Sequence, residues 1–369
     1  MRIFRHTRTL LVGLAALSSV VYLARHGTGA LGADFARGVS GRTDVLAQSG
    51  AANGRQAHKG KLNGAADEAD EDFAARCHAK GVVRCVGWDL PSDFTAPPNN
   101  TGYETGVHPA GPASGGTGYQ YIVQDTTDKV SGNGSLRLII PPSGTPGFSF
   151  NDTPSGYWAD NFTRFPENST MYVQYRFMVD SNMVNFKWSS VSNEGWKISD
   201  IFAATSCGAA EITMENTYQI NVFTGYTHCG SPALYDYSNP QDPLLEQGDY
   251  VCHYQTTYRS HQQDPNCFSF VPNTWITVYM VLQFGTWGRS NTHITMYASD
   301  PEAGRPTLKR FIDLPHFTIN HGDDPNDAFA HIYLENYLSG AHGGATEPGG
   351  NMWFDELIIS SQPIAAPKF

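Results

Sequence analysis

Side chains able to bind a polar ligand or move a proton recur along this 369-residue chain, each opposite the apolar residues of a β-type run. In order they are Gln174 and Arg176, Lys197, Glu211 and Glu215, Gln219 and Asn221, Tyr279, then His331, Tyr333, Glu335 and Tyr337. A cation, an amide, a carboxylate, an imidazole and a phenol on one surface could grip a polar polymer and do acid–base chemistry on it. The densest stretch is Glu211–Gly225, EITMENTYQINVFTG, where Glu211, Thr213 and Glu215 alternate with Ile212 and Met214. After Asn216 and Thr217 the alternation resumes, with Tyr218, Ile220 and Val222 opposite Gln219, Asn221 and Phe223. Period two marks a strand with one wet face and one packed face. The wet face is either ordinary surface or the floor of a groove. Singly, each residue also has a plain role: Arg176 could pair with a carboxylate, and Gln219 and Asn221 could bond across strands.

The elements that must position these groups are strands separated by Gly, Pro and Asn-rich turns. Ser135–Ile140 follows the turn Ser131–Gly134, and Met171–Val179 sets Val173, Tyr175 and Phe177 against Tyr172, Gln174 and Arg176. Gly195–Phe202 carries Lys197. In Thr274–Phe284, Ile276, Val278, Met280, Leu282 and Phe284 form one apolar face. His293–Tyr297, His331–Tyr337 and Asn351–Ser360 complete the set. Helical patterns are nearly absent after Phe73. Many antiparallel strands with long connections predict an all-β fold of two packed sheets, a sandwich or jelly roll.

Ahead of this domain, Arg2, Arg5 and Arg8 precede an apolar run from Leu10 to Ala24, the pattern of a signal peptide or signal anchor over residues 1–30. Residues 31–72 are rich in Gly, Ala and charge and read as a disordered linker, leaving 73–369 as one domain. Residues 1–30 hold four arginines and no acid, so the net charge of −11 becomes −15 without them. An acidic chain with no basic run excludes nucleic acid as an expected partner. The chain is expected to be exported, to touch a membrane only through an N-terminal anchor, and to be a monomer. Six cysteines in an exported chain predict disulfides, paired between near neighbours as Cys77–Cys85, Cys207–Cys229 and Cys252–Cys267.

The runs WFDELIIS (Trp353–Ser360), WITVYMVLQF (Trp275–Phe284) and MYVQYRFMV (Met171–Val179) resemble the concanavalin A-like lectin/glucanase superfamily, over roughly Gly87–Ser361. That resemblance implies polysaccharide as the partner, no required cofactor, and a structural Ca²⁺ for which Asp89 and Asp355 look like the carboxylates. Two enzyme types within the superfamily are similar at specific residues. Alginate-lyase-like enzymes carry an Arg-bearing strand, then Gln-Ile-His, then a Tyr-rich strand. Arg176, Gln219-Ile-Asn221 and His331-Ile-Tyr333 occur here in that order, with Asn221 in the histidine position. This implies β-elimination on a uronate-containing glycan, with Arg176, Gln219, Asn221, His331 and Tyr333 catalytic. Lys197, Gln174, Glu211, Glu215, Tyr279, Glu335 and Tyr337 would then contact substrate. Family-sixteen glycoside hydrolases carry Glu-x-Asp-x-Glu, and here Glu211 and Glu215 flank Thr213 where the Asp belongs. A hydrolase using Glu211 as nucleophile and Glu215 as acid/base is therefore the alternative. A non-catalytic lectin is the third reading, with Tyr172, Tyr279, Phe223, Tyr333 and Tyr337 stacking on sugar rings. All readings that use these side chains expect them to share one concave face.

Overall fold

The computed structural model describes residues 62–96, 105–109, 121–142, 145, 156–184, 195–202, 211–217, 223–228, 268–318, 328–336, 338–339 and 349–368. The N-terminal helix α1 (Leu62–Cys77) is followed by β1 (Val82–Val86), β2 (Gly106–Pro109), β3 (Ile122–Asp125), β4 (Ser135–Ile140) and β5 (Gly156–Phe165). Next come β6 (Thr170–Val179), β7 (Gly195–Phe202), β8 (Glu211–Thr217), β9 (Phe223–His228) and β10 (Ile276–Gln283). The last are β11 (Ser290–Asp300), β12 (Arg305–Thr318), β13 (Phe329–Glu335), β14 (Leu338–Ser339) and β15 (Gly350–Ser360).

The strands form two antiparallel sheets. Sheet A runs β12-β11-β10-β6-β15-β4-β3, with β1 also on β15, and sheet B runs β2-β5-β13-β7-β8-β9, with β14 on β7. This is the expected two-sheet sandwich. Its core follows the alternation directly. Val173, Tyr175, Phe177 and Val179 on β6 and Ile276, Val278, Met280 and Leu282 on β10 meet Ile201 on β7 and Ile332 and Leu334 on β13. Each such buried side chain contributes about 1.5–3 kcal/mol. One polar link crosses the interior: Tyr175 Oη and Ser199 Oγ are 3.0 Å apart. Burial pushes the Tyr175 phenol far up, so it stays protonated.

The N-terminal boundary differs from expectation. The linker was expected to run to residue 72, but α1 begins at Leu62 and lies on the outer face of sheet A. Its buried side chains are Ala69, Asp72, Phe73 and Arg76, the i, i+3, i+4, i+7 seats of an amphipathic helix. Two of those four seats hold charges, so no apolar period is visible in the sequence. The charges are partnered: Arg76 bonds Asp72 (Nε–Oδ2, 2.9 Å), Gln174 (Nη1–Oε1, 2.8 Å) and Glu356 (Nη2–Oε2, 2.6 Å). The disulfide Cys77–Cys85 joins the end of α1 to β1, as expected for that pair. Closing so short a loop contributes about 2–3 kcal/mol on the chain-entropy account. Cys207, Cys229, Cys252 and Cys267 lie outside the described residues, as do residues 1–61.

The Arg76 cluster yields a stability prediction. Arg76→Met takes from the buried Asp72 and Glu356 the cation that hydrogen-bonds both, leaving them only Lys368 at 3.6 Å and the nearby Arg176, which should cost about 3–5 kcal/mol of unfolding free energy. Urea titration measures it, and a loss below about 1 kcal/mol would show that α1 is held by its apolar contacts alone.

Candidate active site

β13 lies between β5 and β7, and this places the candidate site. Ile332 and Leu334 enter the core, so His331, Tyr333 and Glu335 face outward from sheet B. The pairing registers bring outward residues of the neighbouring strands alongside them. Asn161 on β5 is opposite His331, and Tyr157 is opposite Glu335. Asp200 on β7 is opposite Tyr333, and His108 on β2 is opposite Tyr157. Directly opposed side chains have Cβ atoms about 4.5–5.5 Å apart, so these groups form one surface. Lys197, also on β7, reaches Asp200 with Nζ 3.2 Å from Oδ2.

This is not an open wet face. Lys197 is 7% exposed, Asp200 3%, His331 9% and Glu335 4%. Charges so withdrawn from water interact strongly and must be partnered. His331 donates from Nδ1 to Asn161 Oδ1, because an amide oxygen can only accept, which leaves the ring's lone pair on Nε2. Burial, and next the nearby Arg164, lower the His331 pKa from its ordinary 6.5. A neutral imidazole with a defined tautomer is a competent base.

Asn161 is itself anchored. Its backbone N–H donates to Thr105 Oγ1 at 3.4 Å, and that hydroxyl donates to Asp160 Oδ1 at 2.7 Å. Asp160 points inward beside Trp158 and pairs with Arg84 of β1, a strand of the other sheet. Burial raises the Asp160 pKa and Arg84 opposes that shift. The ion pair therefore ties the two sheets together behind His331.

Sequence reasoning placed Lys197, His331, Tyr333 and Glu335 together, and sheet B brings those four to one face. Glu211 and Glu215 on β8 stand opposite Phe202 and Lys197 in register. Gln219, Asn221 and Tyr337 lie outside the described residues. Arg176, Gln174 and Tyr279 are corrections to the expectation of one shared face, because β6 and β10 belong to sheet A. Gln174 accepts from Arg76 and donates to Ala365 O at 3.1 Å. The Tyr279 hydroxyl accepts from Ile364 N at 3.3 Å. Arg176, 3% exposed, faces Glu356 and Asp355, and burial lowers its pKa. Alternation assigns a side chain to one side of its own strand but cannot say which sheet that strand joins. Here the polar side of β6 lies under α1 and the C-terminal tail. His108, Tyr157, Asn161 and Asp200 were missed. Asp200 follows Lys197 by three residues, so only the bulge between Lys197 and Ser199 puts both on one face.

The sugar-stacking surface also fails in part. Phe223 is in the core, and Tyr172 and Tyr279 pack with Phe73 and Ile364 on sheet A. Tyr333 is stacked on Tyr157 with ring centroids 4.6 Å apart. One of its faces is thus covered by another ring.

Asp89 and Asp355 do not fit Ca²⁺ as they stand. Asp355 Oδ2 accepts from Val130 N (2.8 Å) and Ser131 N (3.3 Å), and its Oδ1 from Glu356 N (2.8 Å). Asp89 Oδ1 accepts from Asn133 N and Gly134 N, and Asp70 Oδ1 from Gly132 N. Five successive backbone N–H groups, 130–134, thus meet three carboxylates. Gly132 has φ +61°, and a Cβ there would lie 1.9 Å from Asp89 Oδ1, so no other residue allows this turn. Calcium needs oxygens, whereas the turn offers the positive ends of its amides. Among the described residues no three His, Cys, Asp or Glu side chains gather as a metal-holding group.

No family model and no curated protein matches the sequence. Solved structures do match. A marine alginate lyase from Aplysia kurodai is 12% identical with a TM-score of 0.47, covering 75% of this chain and 98% of its own. An endo-β-1,4-glucuronan lyase from the fungus Trichoderma reesei is 10% identical with a TM-score of 0.40, covering 67% and 88%. A β-glucanase catalytic domain from Podospora anserina is 9% identical with a TM-score of 0.32, covering 67% and 82%. Among the described residues no helix is long and apolar enough to cross a membrane.

The carboxylate geometry predicts that a chelator leaves the melting temperature unchanged. A fall of several degrees, restored by added Ca²⁺, would show a bound ion that stabilises the fold by mass action.

Proposed function

We propose that this chain is an exported polysaccharide lyase that cleaves a uronate-containing glycan by β-elimination on the outward face of sheet B. The observation that carries it is the grouping on β13 and β7: a neutral histidine, a phenol and a lysine–aspartate pair on one withdrawn surface. Lys197 offsets the uronate carboxylate charge, which makes the C5 proton more acidic. His331 Nε2 takes that proton, the C4–C5 double bond forms, and the C4–O bond breaks. The Tyr333 hydroxyl gives its proton to the departing oxygen, and solvent returns both groups to their starting states. His331 and Tyr333 are two residues apart on one strand, about 7 Å between Cα atoms, so both can reach one sugar residue. Arg164, near His331, adds positive charge to this face, where the Lys197 ammonium is already shared with Asp200.

A polysaccharide panel tests this, read for the ultraviolet absorbance of unsaturated uronates and for reducing ends. New absorbance is expected. Reducing ends alone would replace the lyase with a hydrolase, and binding without turnover would leave a lectin. Tyr333→Phe keeps the ring and deletes the proton, and should lower turnover by about 10²–10⁴ while the fold persists. Glu215→Gln should do far less, and the reverse order would transfer the assignment to hydrolysis.

The pH profile gives a separate check. A base whose pKa is lowered stays neutral below the ordinary histidine value and loses activity only as pH falls through its own lower pKa. The acid limb of kcat/KM should therefore fall below the ordinary 6.5. A limb above that value, or one that persists in His331→Gln, would remove His331 as the base.

A further inference from the structure

Three rings stand stacked across three neighbouring strands on the face that holds the proposed site. His108 on β2 lies against Tyr157 on β5, with centroids 4.8 Å apart and planes 7° apart. Tyr157 lies against Tyr333 on β13, at 4.6 Å and 27°. His108 is fully buried, so the stack is closed at its outer end. Rings packed face to face stand upright on the sheet, like books on a shelf. Tyr333 then has little freedom to turn about its side-chain bonds. Such a row holds the Tyr333 ring in one plane.

We propose that Tyr157 is a positioning residue, backed by His108, that fixes the plane of Tyr333 and so the direction in which its hydroxyl meets the leaving oxygen. The proposal rests on the lyase reading for its kinetic consequence but not for its structural one. A proton donor displaced by about 1 Å can lose about 10²-fold in rate, while binding made elsewhere on the face persists. The effect should therefore appear in kcat and hardly in KM.

The test compares Tyr157→Leu, which removes the planar ring, with Tyr157→Phe, which keeps the ring and deletes only the hydroxyl. Tyr157→Leu should lower kcat by about 10- to 10²-fold with KM nearly unchanged, and Tyr157→Phe should recover most of the loss. Equal damage from Leu and Phe would overturn the proposal, as would a loss confined to KM. If Tyr157→Leu fails to fold by far-ultraviolet circular dichroism, Tyr157→Met takes its place, filling the volume without holding a plane. Near-ultraviolet circular dichroism decides the stack independently of turnover. Coupled tyrosine rings give a signal that Tyr157→Leu should abolish in the parent chain and change far less in a Tyr333→Phe background. The same change in both backgrounds would overturn the stack. If the parent turns over no polysaccharide, the lyase reading fails, and the dichroism result alone decides whether Tyr157 holds Tyr333.

Discussion

The fold turns on a break in one central strand. At Asp355–Leu357, β15 exchanges one neighbour for another: its first half pairs with β4 and its last with β1, while its other edge stays on β6. Glu356 sits at the break with φ +53°, a left-handed conformation that an ordinary residue adopts at a cost. What holds it there is electrostatic. Asp355, fully buried, accepts three backbone N–H bonds, and Glu356 takes Arg76 of α1. Burial, with Glu356 beside it, holds the Asp355 carboxyl well above the usual carboxylate range. One irregular step in a strand thereby seats a turn, a helix and two neighbouring strands.

The opposite sheet meets a different constraint. Lys197, Asp200, His331 and Glu335 are as withdrawn from water as many core residues while Asn161 is exposed, and the described contacts there are specific: imidazole to amide, ammonium to carboxylate, ring on ring. Buried polar networks are costly unless satisfied, and a satisfied one holds its members in one geometry. Burial of the ring lowers the His331 pKa, and its hydrogen bond to the exposed Asn161 amide orients it.

The architecture was legible in the sequence wherever one face of a strand was wholly apolar. β10, β6 and β13 announce themselves through Ile276–Leu282, Val173–Phe177 and Ile332–Leu334. β5 does not, because Asp160 occupies a core-facing seat and needs Arg84 from the other sheet to be tolerable there. α1 is hidden for the same reason, with Asp72 and Arg76 in its buried seats. Of the candidate site, the part on β13 was readable from its own alternation, and Lys197 from the polar character of its strand. Asn161, Tyr157 and His108 were not, since their role comes only from strand order. Arg176 and Gln174 show the converse: a correct local period assigned to the wrong surface.

The seating of α1 has a practical bearing. Gln174 bonds Ala365, and the amide of Lys368 meets Asp72, so the last residues of the chain lie with the first helix on the outer side of sheet A. Both ends of the folded chain therefore leave from the back of the sandwich, while the histidine, phenol and lysine look out from the front. A fusion partner or a resin attached after the last residue would stand behind the molecule and leave the outward face of sheet B unobstructed.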